Sequence, residues 1–419
     1  MNRYFLATCF SVILVTVTGC SKEQQGSPTH IFSVHQEGSL SVSENTGGPK
    51  YQQELFTYNY LFSLQEDDRE ESILIMPQSP LLDENQNIYL VDGRGSYVRI
   101  AVFDQDGVYQ HDIGRAGNGP GEFQAPMIAD VENGVLTVWD RRLNRLIRFR
   151  INGSLIEQKS VRDAPMTTTD IAHWLDGDSI LSISRLRFMP SDENSFRQIQ
   201  ITATSPIGDT LWSHKSDKII EGKMLPRRRG NFMLYNPLPK PFNPLPRALY
   251  CRGKGVVLTT GKEATINYFD ITGELYQRVE IDLQFLPVTS EDKRLYENDY
   301  RVRNLESGNM ERSEIETQIR QLEYPINKAF WTHMLIDESG FLLLQIPDHC
   351  EGSGNAEEGL TFRVINPEGE YLGITRFPPG RGIISQGHLL QTQVDPETDE
   401  MKILVFSIQP AVRGLSFPY

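Results

Sequence analysis

Short runs in which apolar and polar residues alternate recur along most of the chain. In the stretch "NIYLVD" (87–92) Ile88 and Leu90 lie on one side, and in "SILSIS" (179–184) Ile180, Leu181 and Ile183 supply apolar faces. Alternation of this kind, bounded by turn residues, predicts β-strands. We therefore expect an all-β chain whose strands must bury their apolar faces against neighbouring sheets.

The turns between these strands also recur. The stretch "VFDQDG" ends at Gly107, and later stretches of the same kind also end in glycine: "RFRING", "ATSPIG", "YFDITG" and "VINPEG". A second hairpin pattern, as in "DVENGVLTVWD", precedes most copies. The unit is thus four short strands and two turns, and from Gly107 to Gly153 it spans 46 residues. Four-stranded units at this spacing predict the blades of a β-propeller.

Five such units are visible, and we expect a sixth. Its strands are "GHLLQTQV" and "MKILVFSI" near the end of the chain, closed by N-terminal strands around "ELFTYNYLFSL" and "ESILIMP". Closure of the ring removes free sheet edges. A pair of β-sandwich domains is the alternative, but it does not explain the recurring turns. The expected boundaries are a leader at 1–19, a tether and N-terminal lead at 20–50, and a six-bladed propeller at 51–419.

Two insertions interrupt the repeat. The first, at about 215–248, is rich in proline and carries Arg227, Arg228, Arg229 and Tyr235. We expect a loop rather than strands, serving either as a basic, aromatic lip that binds an anionic ligand or a partner, or as a stiff connector. The second, at about 289–325, is charged with helical spacing and predicts two short helices on one face.

A glycine-rich stretch, "GRAGNGPGEF" (114–123), separates the first two units. A phosphate-binding loop is disfavoured because no Gly-Lys-Ser/Thr ending follows and the next segment reads as a strand. We instead predict a structural hinge formed by Gly117, Gly119, Gly121 and Phe123. Phe123 is expected to fill the seam between two blades.

The N-terminus indicates export. Residues 1–19 hold one basic residue, Arg3, and an apolar run too short to span a bilayer, which predicts a signal peptide. Its removal leaves 40 basic and 55 acidic residues, so nucleic acid and anionic lipid are poor partners for the surface as a whole. Cys251 and Cys350 remain in the body, and both a disulfide and free buried thiols are open for them.

Two resemblances follow from these residues. The small residues before Cys20 resemble the lipobox of bacterial lipoproteins, which implies a lipid on Cys20 and an envelope location, periplasmic or at the outer membrane. The stretches "GRAGNGPGEFQAP" and "LTVWDRRLNRLIRF" resemble the NHL repeat through nine positions: Gly117, Gly119, Gly121, Phe123, Pro126, Asp140, Asn144, Arg145 and Phe149. Together they are similar to six-bladed propeller lipoproteins of bacterial envelopes.

Catalytic patterns are scarce. The histidines are scattered, "DHCE" (348–351) cannot direct all its groups at one ion, and nucleophile-elbow and zinc-protease motifs are absent. The leading hypothesis is a monomeric, non-enzymatic binding or scaffolding module without a cofactor, whose partner is an envelope protein, peptide or glycan. The alternative is a hydrolase or lyase that uses a divalent metal at the propeller axis.

Overall fold

The computed structural model describes residues 29–64, 73–161, 167–188, 194–229, 232–306, 308, 310–347, 359–394, 400–415 and 417. Within these ranges the strands form six sheets, each built on four antiparallel strands, and one short parallel pair. Three strands precede the first complete sheet: β1 (Ile31–Glu37), β2 (Leu40–Thr46) and β3 (Phe56–Ser63).

The six sheets are the blades, and the first three come from the first half of the chain. Blade 1 is β4 (Gln78–Leu82), β5 (Ile88–Arg94), β6 (Tyr97–Phe103) and β7 (Tyr109–Ile113). The pair β8 (Arg115–Ala116) and β9 (Glu122–Phe123) follows. Blade 2 is β10 (Pro126–Glu132), β11 (Val135–Asp140), β12 (Arg145–Arg150) and β13 (Leu155–Ser160). Blade 3 is β14 (Thr167–Trp174), β15 (Ile180–Phe188), β16 (Asn194–Thr204) and β17 (Thr210–Lys215), extended by β18 (Ile219–Arg229) and β19 (Phe232–Pro239).

The second half of the chain supplies the other blades. Blade 4 is β20 (Arg247–Cys251), β21 (Gly255–Thr259), β22 (Thr265–Phe269) and β23 (Leu275–Ile281). The helices α1 (Ser290–Glu306) and α2 (Arg312–Ile319) come next. Blade 5 is β24 (Met334–Ile336), β25 (Leu342–Gln345), β26 (Thr361–Ile365) and β27 (Tyr371–Arg376). Blade 6 contains β28 (Arg381–Ser385), β29 (His388–Val394) and β30 (Met401–Pro410).

The two ends of the chain meet in blade 6. β3 pairs antiparallel with β30, so that Phe56 lies opposite Pro410 and Ser63 opposite Leu404. The prediction that an N-terminal strand closes the ring is thereby confirmed for the stretch at 54–64. The other predicted closing stretch instead leads into blade 1, where the amides of Ile75 and Met76 each donate to an Asp92 carboxylate oxygen at 2.8 Å.

The five glycine-ended turns share one geometry. Each joins the third strand of a blade to the fourth, and their glycines have φ between 78° and 92°: Gly107, Gly153, Gly208, Gly273 and Gly369. This left-handed conformation costs other residues about 1–2 kcal/mol, which explains the recurring glycine. Blade 6 lacks such a turn because its third and fourth strands come from opposite ends of the chain. That is why the sequence shows five copies for six blades.

The seams between blades hold the core. Among the described residues, each of the six seams has its own cluster of buried apolar side chains. Two turn glycines contact the preceding blade directly: a Cβ on Gly107 would lie 2.7 Å from the ring of Phe62, and one on Gly273 would lie 2.7 Å from Trp212. These positions are therefore closed to larger residues for steric reasons as well.

The N-terminal lead differs from the expected tether. Strands β1 and β2 form a hairpin, and β2 adds parallel to β23, with Ser41 opposite Gln277 and Asn45 opposite Ile281. Asn45 is 2% exposed, and its amide donates to the Gly369 carbonyl at 2.9 Å. Residues 31–46 are thus part of the sheet of blade 4. Their partners are more than two hundred residues away, so local pattern could not reveal the pairing.

The two insertions pack together. The prediction of a loop for the first is wrong, because β18 and β19 pair as a long hairpin on the edge of blade 3. Prolines are tolerated there because edge strands leave some amides unpaired. The two predicted helices are confirmed, with Ile315 and Ile319 of α2 buried beside Tyr296 and Tyr300 of α1. Leu238 and Phe242 join the same cluster, so hairpin and helices form one unit.

No helix in the described part of the chain combines the length and apolar character that a membrane span requires.

Candidate functional site

The two faces of the propeller differ. Because neighbouring strands in a blade are antiparallel, the turn after the first strand and the turn after the third lie at one end. We call this end the cavity face. The opposite end, the insertion face, carries β18, β19, α1 and α2, which leave the ring after the outer strands of blades 3 and 4.

A cavity of about 440 Å³ opens at the axis on the cavity face. From blade 4 through blades 5, 6, 1 and 2 to blade 3, each first strand contacts the next around the axis, and residues at the ends of the six first strands form the wall. All six blades contribute: Leu81 and Glu84 from blade 1, Asp130 and Glu132 from blade 2, His173 from blade 3, Tyr250 and Arg252 from blade 4, Asp337 and Glu338 from blade 5, and Ile384 and Gln386 from blade 6.

A cluster of opposite charges lies in this wall. Arg252, in the turn after β20, forms ion pairs with Asp130 and Glu132 of β10. Its side chain is 46% exposed, and each acid is 32% exposed. Burial raises the pKa of Glu132, although the Arg252 guanidinium opposes the rise. The cluster connects blades 2 and 4, which are not neighbours, and places both charge signs in the cavity.

Two glutamates at the rim tie each turn to the next blade. The Glu84 carboxylate of blade 1 accepts the amide of Asn133 in blade 2 at 3.0 Å. In the same way, Glu338 of blade 5 accepts the Ser385 hydroxyl at 2.7 Å and the Gln386 amide at 3.0 Å in blade 6. These side chains therefore fix the positions of neighbouring blades while they line the cavity.

Asp337 is the most buried acid of the wall. One carboxylate oxygen accepts the Phe341 amide and the Ser339 hydroxyl, both at 2.7 Å. The other oxygen is buried and has no hydrogen-bond partner among the described residues. Burial raises the pKa of Asp337 to about 6. This carboxyl is therefore ionised at neutral pH only at a cost to the fold.

Two other side chains of the wall are neutral at neutral pH. Burial, with a smaller effect of Arg252, lowers the pKa of His173 to about 4, and its ring packs against Tyr250 with 4.8 Å between centroids. Burial raises the pKa of Cys251 to about 12, and its thiol donates to the Asp337 carbonyl at 3.4 Å. Neither group is charged or strongly nucleophilic under ordinary conditions.

A groove of about 460 Å³ continues from the cavity between blades 3 and 4. It shares Tyr250 and Arg252 with the cavity, and its other walls include Trp174, Lys254 and Tyr276. The Trp174 ring lies within 5.0 Å of the Arg148 guanidinium and 4.7 Å of the Lys159 ammonium. Aromatic surfaces beside charged groups are common in ligand sites.

The residues predicted to bind a partner lie elsewhere. The backbones of Arg227, Arg228 and Arg229 end strand β18, and Tyr235 of β19 pairs with Pro226. This hairpin belongs to the insertion face, opposite the cavity. Nothing is described of these four side chains, and Cys20 and Cys350 lie outside the described residues. Cys251 is a free buried thiol.

The glycine-rich loop is held by groups of the protein itself. Phe123 is fully buried in the cluster between blades 1 and 2, and Gly117 and Gly121 have φ of 158° and 72°. The Gly119 amide donates to the Glu122 carboxylate at 2.9 Å. Arg145 donates to the carbonyls of this loop, at 3.0 Å to that of Gly119.

Within the described ranges, no three His, Cys, Asp or Glu residues are grouped so as to hold a metal ion. The stretch "DHCE" at 348–351 lies outside those ranges.

Comparison with known proteins agrees with this architecture. Residues 42–185 match the DUF5128 family model, described as a 6-bladed beta-propeller. The chain is a six-bladed β-propeller. A solved structure of a DUF4221 family member from Bacteroides vulgatus is 12% identical, with a TM-score of 0.50, covering 86% of this chain and 99% of that one. A solved structure of a protein from Bacteroides fragilis that is described as exported is 12% identical, with a TM-score of 0.46. The match covers 84% of this chain and 95% of that one. No curated protein matches the chain.

Sequence reasoning missed the axial residues. Asp130 and Glu132 precede a turn that the repeat identifies, and Arg252 lies in the corresponding turn of blade 4. The available signal was their shared position at the end of a first strand. That position faces the axis in every blade, but the alternation pattern alone does not say which strand is innermost.

Proposed function

We propose that this chain is a non-enzymatic binding or scaffolding module that presents its cavity face to a protein, peptide or glycan. The observation that carries the proposal is the axial cavity with its adjoining groove. Trp174, Tyr250 and Tyr276 supply aromatic surface, while Arg252 and Lys254 stand among carboxylates. A peptide, which has apolar, amide and charged groups, matches this wall.

We propose further that the module is a lipoprotein of the bacterial envelope, with the lipid on Cys20. Support comes from the signal peptide and from the small residues before Cys20. We also propose that blades 1 and 2 are of the NHL type, since Asp140 and Arg145 both bind the loop between them. Arg227, Arg228, Arg229 and Tyr235 remain a second candidate surface for a partner on the insertion face.

The test is photo-crosslinking in intact cells with the natively anchored protein. A photoreactive residue at Lys254 samples the groove, and one at Ile207, which is 83% exposed on the same face, is the control. We expect a specific adduct at Lys254 only, unchanged by replacing Arg227, Arg228 and Arg229 with serine. An adduct lost in that variant would move the site to the hairpin. Equal adducts at both positions, or none, would contradict the proposed groove site.

A further inference from the structure

We propose that the insertion face lies against the membrane, with Phe285, Leu286 and Ile326 inserted at the boundary between head groups and acyl chains. This set is called the apolar edge. The inference rests on the proposed lipidation of Cys20, because the anchor brings this part of the protein to the bilayer. It assigns an orientation, which the binding proposal alone does not.

The first step is to establish on which face of the propeller the described chain begins. β2 runs parallel to β23, whose last residue, Ile281, lies at the insertion face, and Asn45 is opposite it. β1 is antiparallel to β2, with Ile31 opposite Thr46. The chain therefore enters blade 4 at the insertion face, about 10 Å, or two strand spacings, from the end of β23.

The second step is the reach of the anchor. Thr29 is the first described residue, and eight residues lie between it and Cys20. The nine steps from Cys20 to Thr29 span at most about 30 Å when the chain is fully extended. A lipid on Cys20 thus keeps this edge of blade 4 close to the bilayer surface, while the cavity face is the far end of the same blade.

The third step is the surface at that edge. Phe285, Leu286 and Ile326 are 56%, 43% and 86% exposed, although all three are large and apolar. Phe285 and Leu286 lie four and five residues after the end of β23. Their segment pairs with the one that holds Ile326, because the amide of Val288 donates to the Ile326 carbonyl at 2.9 Å. The apolar edge is thus one local ribbon beside the point where the chain enters.

The fourth step is the choice of occupant. The chain carries a formal charge of −14, so a general electrostatic attraction to anionic lipid does not hold it. Apolar side chains next to a lipid anchor match the interfacial region of a largely zwitterionic bilayer. In this orientation the cavity and groove point away from the membrane, where a ligand can reach them.

The test uses the full, lipidated chain reconstituted in phosphatidylcholine vesicles. In a Cys350→Ser background, Ile326→Cys carries an environment-sensitive fluorophore, and Ile207→Cys is the matched control. Both positions are more than four-fifths exposed, one on each face, so neither substitution disturbs the core. Cys251 does not compete for the label because it is buried.

We expect a blue shift and loss of emission with quencher-bearing lipid at position 326 and neither change at position 207. A chain that floats with the vesicles but is unquenched at 326, or equally quenched at both positions, overturns the orientation. A chain that does not float overturns the anchor itself and the orientation with it. Adduct formation at Lys254 is measured separately, so failure of the groove proposal is distinguishable.

Discussion

Replacing Asp337 with asparagine should flatten the pH dependence of stability. Burial raises the pKa of this carboxyl to about 6, whereas the ordinary value is 3.8. The folded chain therefore binds the proton more tightly than the unfolded chain. The stability that protonation contributes is complete below about pH 4 and is lost as the pH rises through 6.

The difference between the two pKa values corresponds to about 3 kcal/mol over the whole titration, and about 1.4 kcal/mol of it separates pH 5 from pH 8. Urea titrations at these two pH values measure it. The wild type should lose this amount from Asp337 on going to pH 8, and Asp337→Asn should not. The comparison uses the change in the free energy of unfolding between the two pH values. Any pH-independent loss of stability caused by burying the asparagine amide cancels from that difference.

Asp83 provides a matched control. It occupies the same turn position in blade 1, but its second oxygen accepts the Asn87 amide group at 2.9 Å and the Tyr89 hydroxyl at 3.1 Å. Asp83→Asn should lose about 1–3 kcal/mol, because two donors lose their acceptor, and it measures the cost of an amide in the same turn. A wild-type slope in Asp337→Asn would refute the reasoning.

Three further outcomes are expected. Gly121→Val should lower the free energy of unfolding by about 1–2 kcal/mol, because φ at Gly121 is 72°; an unchanged free energy in urea titrations would contradict the hinge. Phe123→Ala should cost about 3–5 kcal/mol in urea titrations, and a negligible cost would show that the seam does not depend on this ring. In a Cys350→Ser background, iodoacetamide at pH 8 should label Cys251 only after unfolding, since burial raises its thiol pKa to about 12; rapid labelling of the folded protein would refute its burial.

Local features of the chain were predictable because local forces determine them. The turn at Gly107 follows from backbone conformation, and α2 follows from the spacing of Ile315 and Ile319. The pairing of β2 with β23 joins residues more than two hundred positions apart. Neither alternation nor turn chemistry encodes such a partner.

The candidate site was harder to predict from the sequence, because its residues also come from distant parts of the chain. Arg252 meets Asp130 only because the turns of blades 2 and 4, which are not neighbours, both reach the axis. The three arginines that begin at Arg227 were predicted as a binding site because they are adjacent in the sequence. The cavity is instead lined by one to four residues from each of the six blades. Residues that are adjacent in the sequence are easy to recognise as a group, whereas the residues at a propeller axis are far apart in the sequence.

The join between β3 and β30 has a consequence for how the protein is made. Residues 56 and 410 must pair before the ring exists, so nearly the whole polypeptide has to be delivered before folding can finish. During synthesis the earlier blades can form only as an open arc with an unpaired β3. The final step brings together two distant chain ends, which makes it intrinsically slow. The ring therefore stays open until the last strand has been made, whatever the earlier blades have already formed.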